Sequence, residues 1–149
     1  MSTIDDTDTL LAAVACERLI RRFARLSDQG DFVALAALFT EDGVFARPSA
    51  PTLRIEGRAA ILAAYQARPK RASRHVTANV LVDLLSPTSV TATSQILLFA
   101  GTDTGYPMRA SAPLWVGEFQ DRLELRDGRW LFKERLGTLE FEFGRLDAA

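Results

Sequence analysis

His75 is the only histidine of this 149-residue chain, and imidazole is the side chain best suited to exchanging protons near neutral pH. Apolar and polar residues alternate after it, so we expect His75 at the head of a strand, on one face with Thr77 and Asn79. Such a polar face lies either in water or along a polar pocket. The residues alone leave two interpretations open: a proton-transfer group in a pocket, or a hydrogen-bonded structural histidine.

Aromatic side chains provide candidates for contacting a small molecule. Tyr106 belongs to a glycine-containing segment, 101–108, which we expect to be a long loop able to cover a pocket. Trp115 belongs to a predicted strand and could line an apolar cavity, although most aromatic residues of such a domain are core residues.

Charged residues in the later strands have structural explanations as well as functional ones. For Asp121 we favour an ion pair with Arg122, Arg129 or Arg135. For Arg135 a solvated strand face is the default in this pattern.

Composition excludes several function classes. One histidine and one cysteine, Cys16, do not make an ordinary zinc site, and we expect neither a metal nor another cofactor. The single cysteine fits a reducing compartment. Neither a phosphate-binding loop, a dinucleotide glycine pattern nor a nucleophile motif is present. With 18 Lys and Arg against 19 Asp and Glu, net charge −1, we predict no nucleic-acid partner.

Targeting signals are also missing from the sequence. The first residues are acidic and lack the basic region of a secretory signal. No apolar run approaches the ~20 residues that span a bilayer. We therefore expect a cytoplasmic protein with no membrane partner.

Three helices are predicted in the first half of the chain. The first covers 10–27, after N-cap candidates at 7–9, and a turn follows at 28–30. Asp31 caps a second helix, 32–39, and a third covers 59–66. The apolar face predicted for the first helix consists of Leu11, Val14, Leu19, Phe23 and Leu26.

Strands dominate the second half. A short strand begins at 44–46, between a turn at 40–43 and a proline-containing loop at 47–52. Longer strands are predicted at 76–85, 89–100, 112–125 and 129–143, with a hairpin turn at 126–128. Helices followed by meandering strands indicate one α+β domain, 1–149, whose core covers about 10–143.

This order of elements, together with several short strings, resembles the SnoaL-like family of the nuclear transport factor 2-like superfamily. The strings are Asp28-Gln29-Gly30-Asp31, Phe39-Thr40-Glu41-Asp42-Gly43, Arg74-His75 with Asn79, Gly117-Glu118-Phe119-Gln120-Asp121 and Asp127-Gly128-Arg129-Trp130. The resemblance implies a cone-shaped, curved antiparallel sheet that three N-terminal helices close around an apolar pocket. The fold hosts polyketide cyclases, dehydratases and ketosteroid isomerases, as well as subunits with no chemistry of their own.

The resemblance also implies a pairing of two residues. Related dehydratases place an aspartate at the end of the first helix against a strand histidine, which correspond here to Asp28 and His75. A carboxylate orients the imidazole and favours its protonated form, so the pair can move protons on a bound substrate. Those relatives also have a tyrosine and a second strand acid, where this sequence has Phe23 and Gln95. The alternative for Asp28 is a helix-end turn residue.

Two functions follow as hypotheses. The first is a cofactor-independent lyase or isomerase acting on a small hydrophobic carbonyl compound such as a steroid, terpenoid or polyketide, with Asp28 and His75 as catalytic residues. Its expected substrate-binding residues are Phe23, Asn79, Gln95, Tyr106, Trp115 and Arg135. The alternative is a non-catalytic ligand-binding or assembly module, resembling the small subunits of ring-hydroxylating dioxygenases.

We also expect assembly through the sheet, because sheets of this kind leave one broad face without helices. A homodimer would cover that face. The apolar side chains expected there are Trp115, Phe119, Phe132 and Phe141.

Overall fold

The helices lie in the first half of the chain and pack on one sheet of six strands. The structure is a computed structural model that describes residues 6–101 and 105–144. The elements are α1 (Asp6–Gln29), α2 (Phe32–Ala36), β1 (Phe39–Arg47), β2 (Ala50–Glu56), α3 (Arg58–Gln66), β3 (Ala72–Ser86), β4 (Ser89–Gly101), β5 (Ser111–Arg126) and β6 (Arg129–Phe143). The predicted α+β class, with N-terminal helices and a curved sheet, is confirmed. Residues 102–104 of the predicted loop lie outside the described residues.

The strands follow the order β2-β1-β6-β5-β4-β3 across the sheet. The neighbours β3 to β6 pair antiparallel, as do β1 and β2, whereas β1 runs parallel to β6. The sheet is thus mostly antiparallel, as expected, and the described β1 and β6 form a parallel pair within it. Here β1 of the β1–β2 hairpin lies beside β6, the last strand of the antiparallel series β3 to β6.

The β2 strand is an element that the sequence patterns did not predict. Two prolines suggested a loop over 47–52, but the turn is confined to Pro48 and Ser49. Pro51 is tolerated because β2 is the edge strand, where a missing N–H costs no ladder hydrogen bond. The turn predicted at 40–43 is instead an irregular stretch inside β1, between the pairs Phe39–Phe132 and Val44–Glu134.

The helix ends depart from the predicted bounds in both directions. The proposed caps at 7–9 lie inside α1, which already includes Asp6. The cap of α2 is confirmed, since the Asp31 carboxylate accepts a hydrogen bond from Ala34 N at 3.1 Å. That helix ends at Ala36, earlier than expected, because Phe39 already pairs with β6.

The buried face of α1 is rotated from the predicted one. Leu11 and Val14 are 64% and 50% exposed, whereas Ala12, Cys16 and Ile20 are buried. Small side chains at 12 and 16 let the helix approach the sheet closely, so packing selected this face over the larger aliphatics. Burial, reinforced by Asp121, raises the pKa of the Cys16 thiol to about 12, which makes it a weak nucleophile.

An aromatic cluster fills the core between the helices and the concave face of the sheet. The ring of Phe23 lies 5.7–6.3 Å, centroid to centroid, from five others. These are Phe39, Phe45, Tyr65, Phe119 and Phe132. We expected Trp115, Phe119, Phe132 and Phe141 on the helix-free face. Trp115, Phe119 and Phe132 instead face the helices, whereas Phe141, 60% exposed, does belong to the helix-free face.

A β-bulge in β3 changes which residues face the core. Between the cross-strand pairs Ala78–Gln95 and Leu81–Thr93, β3 contains one residue more than β4, and Asn79 adopts a positive φ of 49°. As a result, His75 and Thr77 share the concave face with Val80, whereas the exposed Asn79 does not. The uninterrupted alternation predicted for this strand is therefore wrong on the His75 side of the bulge.

Within the two described segments, no helix combines the length and the apolar character needed to cross a bilayer.

Candidate active site

A cavity of about 310 Å³ opens between the concave face of the sheet, α1 and α3. Most of its wall is apolar, and His75 and Thr77 add polar groups from β3. The β1–β2 turn closes one side, where Pro48 packs so tightly that a Cβ at Gly137 would lie 2.6 Å from Pro48 Cδ. The apolar and aromatic lining residues are Phe23, Phe45, Tyr65, Ile96, Leu98, Trp115, Phe119 and Leu139.

Asp28 and His75 are in direct contact. Nδ1 of His75 lies 2.5 Å from Oδ1 of Asp28, and the two side chains are 15% and 7% exposed, respectively. The Asp28 carboxylate also accepts hydrogen bonds from the backbone N–H of His75 and from Ser73 Oγ, each at 2.9 Å. The end of α1 and the start of β3, 47 residues apart, are thereby joined.

The surroundings of Asp28 keep it ionised. Burial alone would raise its pKa, but the hydrogen bonds from His75 and Ser73, with the charge of His75, lower the pKa below its ordinary value. An ionised Asp28 accepts from Nδ1–H, which leaves Nε2 as the ring nitrogen available to a ligand. His75 borders the cavity and also a wider pocket of about 630 Å³ on its other side, which Asp28 and Ser73 border.

A buried ion pair underlies the cavity. Arg135 Nη1 lies 2.5 Å from Asp121 Oδ2, and both side chains are excluded from solvent. The guanidinium stacks 3.8 Å from the ring centroid of Phe119 and 4.5 Å from that of Phe23. Arg135 is thus the partner of Asp121, one of the three that we considered, and its expected solvated position is wrong.

Several predicted binding residues lie in the cavity wall and others do not. Phe23, Trp115 and Arg135 line it. Asn79 lies on the opposite side of the sheet because of the bulge, and Gln95 faces that side through the regular alternation of β4. Asn79 Nδ2 donates to Gln95 Oε1 at 2.6 Å. Tyr106 is 81% exposed, so it does not cover the cavity as expected.

Three arginines at the cavity were missed in the sequence. Arg47 ends β1, Arg68 follows α3, and Arg71 precedes β3. The 68–71 segment leads directly into the histidine strand, but no motif marks it as part of a binding site. Ser73 was also missed, yet it shares the His75 face two residues earlier, and this alternation could have identified it.

A metal centre has no obvious ligand set here. Across residues 6–101 and 105–144, no three His, Cys, Asp or Glu side chains gather as metal ligands would.

Comparison with known proteins gives a consistent fold assignment. A hexachlorocyclohexane dehydrochlorinase, LinA type 2, is 18% identical, with a TM-score of 0.79 over 97% of each chain. A protein provisionally named scytalone dehydratase, from Novosphingobium aromaticivorans, is 24% identical, with a TM-score of 0.77 over 94% of this chain and 91% of that one. ActVI-ORFA of Streptomyces coelicolor is 25% identical, with a TM-score of 0.71 over 85% and 96%.

The sequence comparison identifies the family. No protein of curated function matches this chain. Residues 8–136, which include α1 and most of the sheet, match the SnoaL-like domain. The chain therefore belongs to the SnoaL-like domain family.

Proposed function

We propose that this protein is a cofactor-independent lyase or isomerase, with His75 as the proton-transfer group and Asp28 as its partner. The observation that carries the proposal is the 2.5 Å contact between His75 Nδ1 and Asp28 Oδ1, with the imidazole bordering an apolar cavity. Two structural relatives have names that fit such chemistry. One is provisionally named scytalone dehydratase, and the other is a hexachlorocyclohexane dehydrochlorinase. The substrate class is a small hydrophobic carbonyl compound.

The chemistry follows from the hydrogen-bond pattern. Nε2 of His75 takes a proton from the carbon next to the substrate carbonyl, and the electron pair forms an enolate. The imidazolium then returns the proton, either to a β-oxygen, which leaves as water, or to a more distant carbon, which shifts the double bond. Asp28 stabilises the imidazolium throughout and holds its ring in place.

Proton exchange tests this proposal without a known substrate. Deuterium incorporation next to the carbonyl of 2-tetralone, a bicyclic ketone, is measured by NMR in D₂O with wild-type protein and variants. We expect His75→Ala to abolish the protein-dependent rate and Asp28→Asn to lower it by about 10²- to 10⁴-fold. The control Arg74→Gln, on the outer face beside His75, keeps the wild-type rate.

The outcomes are clear-cut. The catalytic proposal would be contradicted if the wild-type and His75→Ala proteins catalysed proton exchange at the same rate, with circular dichroism showing that both are folded. The alternative, a non-catalytic ligand-binding module, would then be preferred.

One observation favours that alternative. The inward-facing residues of β4 lack a carboxylate: Val90, Ala92, Ser94, Ile96 and Leu98. Phe23 likewise brings a phenyl ring to the cavity, which cannot donate a hydrogen bond. A site of this kind binds apolar molecules but has fewer polar groups to direct a reaction.

We also propose a homodimer through the outer face of the sheet. Cross-strand pairing aligns one apolar residue from each of four neighbouring strands. This outer apolar row consists of Val76, Leu97, Val116 and Phe141. Val76 and Phe141 are 48% and 60% exposed, and a second copy would remove this surface from water.

A further inference from the structure

The charge distribution around the cavity is one-sided. Four arginines line it, and among its described lining residues there is no aspartate or glutamate. Arg135 is compensated by Asp121, directly behind it. Arg47, Arg68 and Arg71 form no ion pair with a described carboxylate. The carboxylate of Asp28 borders only the adjoining pocket, which Arg68 and Arg71 also border.

These arginines are held in position by neutral groups. Arg47 Nη2 donates to the backbone carbonyl of Ala64 at 3.0 Å, and the Arg68 guanidinium lies 4.0 Å from the centroid of the Tyr65 ring. The Nε atoms of both side chains are buried and have no hydrogen-bond partner within the described residues. Buried donors of this kind are costly unless a ligand satisfies them.

The three charges also act on one another. Burial lowers the pKa of Arg68, and the nearby charges of Arg47 and Arg71 lower it further. Gathering like charges at the wall of an apolar cavity is unfavourable in the empty protein, and an anionic group between them would relieve it.

We propose that the cavity binds a hydrophobic carboxylic acid as its carboxylate, with Arg68 and Arg71 as the principal anion contacts and Arg47 beside them. The apolar body of the ligand lies against Trp115 and Phe45, within reach of His75. This inference rests on the proposed function for the identity of the reacting end, and it defines the opposite end of the substrate. The cavity volume, about 310 Å³, suits a molecule of one or two rings.

A matched pair of probes tests the inference. 2-Naphthoate and 2-naphthamide have nearly the same shape and differ in charge, and their affinities are measured by calorimetry at pH 7 in low and high salt. We expect the naphthoate to bind at least about tenfold more tightly, and its affinity to fall with added salt.

Variants assign the effect to the arginines. We expect Arg68→Gln and Arg71→Gln each to reduce the preference for the naphthoate, and the double variant to abolish it. Arg71 is exposed, so its replacement is not expected to disturb folding. Arg74→Gln, an exposed arginine three residues later on the outer face of β3, is the control and keeps the full preference.

Three results would overturn the proposal: equal affinity for the two probes, no binding of the naphthoate at millimolar concentration, or a preference that survives in the Arg68→Gln, Arg71→Gln double variant. His75→Asn separates this inference from the proposed function. If the preference for the naphthoate persists in wild-type and His75→Asn proteins while proton exchange is absent in both, only the catalytic proposal fails.

Discussion

At the scale of single residues, Asp28 at the end of α1 and Asp121 in β5 have opposite properties. Asp28 accepts hydrogen bonds from Ser73 Oγ and from both the backbone and the ring of His75, and its pKa is lowered. Asp121 is bound by Arg135, yet its Oδ1 has no hydrogen-bond donor among the described residues. Burial raises the pKa of Asp121 to about 6, with Arg135 opposing the shift. Asp121, which is more completely buried and has fewer donors, therefore binds its proton more tightly than Asp28.

The lowered pKa of Asp28 predicts how its contribution to stability depends on pH. Because the folded state holds the carboxylate ionised below the unfolded pKa of about 3.9, this contribution is present above that pH and is lost as pH falls through the folded pKa. Urea unfolding of wild-type and Asp28→Asn proteins between pH 7 and pH 3 is the measurement. The difference in unfolding free energy should be largest near neutral pH and shrink below about pH 4.

An exposed residue gives the control for this measurement. Asp83→Asn, on the outer face of β3, should leave the pH profile as it is in the wild-type protein. A stability difference between wild-type and Asp28→Asn proteins that is constant with pH would contradict the role of the hydrogen bonds.

The Arg135–Asp121 pair predicts a dependence of the opposite sign. Asp121 binds its proton more tightly in the folded than in the unfolded state, so its contribution to stability is full below about pH 4 and is lost as pH rises through about 6. Arg135→Met removes the guanidinium whose charge and hydrogen bond lower this pKa. We expect Arg135→Met to destabilise the protein by about 3–5 kcal/mol near neutral pH, and by less at pH 5.

A double variant checks the cause of that loss. In Asp121→Asn, Arg135→Met protein no charge remains buried at this point, so most of the lost stability should return, measured by urea unfolding at both pH values. If the double variant is as unstable as Arg135→Met, lost packing against Phe119 and Phe23 explains the effect instead of the unpaired charge.

At the scale of elements, the β3 bulge makes the candidate site possible. If β3 kept all its residues and alternated regularly, His75 and Val80, five positions apart, would lie on opposite faces of the sheet. The bulge allows the polar start of the strand to face the cavity while its second half packs Val80, Val82 and Leu84 against the core. Asn79 is suited to the position because Asn tolerates a positive φ better than most residues.

Deleting Asn79 should therefore leave the faces of both halves of β3 unchanged. In the shortened strand, regular alternation keeps His75 and Val82 inward and Asp83 outward, so we expect cooperative unfolding by circular dichroism to be retained. Asn79→Gly, which keeps the bulge and relieves its φ, should stay within about 1 kcal/mol of wild type. A deletion variant that no longer unfolds cooperatively would contradict this account.

At the scale of the whole molecule, the sheet has two unlike faces. Its concave face packs on the helices and forms the cavity, while the outer apolar row crosses four strands on the other face. Phe141 also stacks on Phe143, with ring centroids 6.2 Å apart, which enlarges the exposed apolar area at that edge. A face of this character is typical of an interface between copies.

Sedimentation measurements test the dimer. We expect the wild-type protein to sediment as a dimer at micromolar concentration, and Phe141→Lys or Val76→Lys to shift it to a monomer, because a charge in the outer apolar row would be buried without a partner. Val33→Lys, at a position on α2 that is 65% exposed, is the control and should remain dimeric. A wild-type monomer at high micromolar concentration would contradict the proposal.

The sequence by itself determined the class of the fold and the order of most elements. Strong periodicity, caps and turn residues are local signals, so they predicted α3, β4, β6 and the Asp31 cap close to their observed positions. The resemblance to the SnoaL-like family, which rests on several short strings in the same order, predicted the pairing of Asp28 with His75.

Tertiary structure alone decided which side chains meet in the cavity. A single extra residue at the β3 bulge reversed the face of Asn79, and the edge position of β2 allowed a proline that locally favours a loop. Arg47, Arg68 and Arg71 come from the end of a strand and a short connection, so their convergence depends on how the β1–β2 hairpin and α3 pack on the sheet. Such long-range packing leaves no periodic signal in the chain, because each residue there satisfies its local preferences equally well in other arrangements.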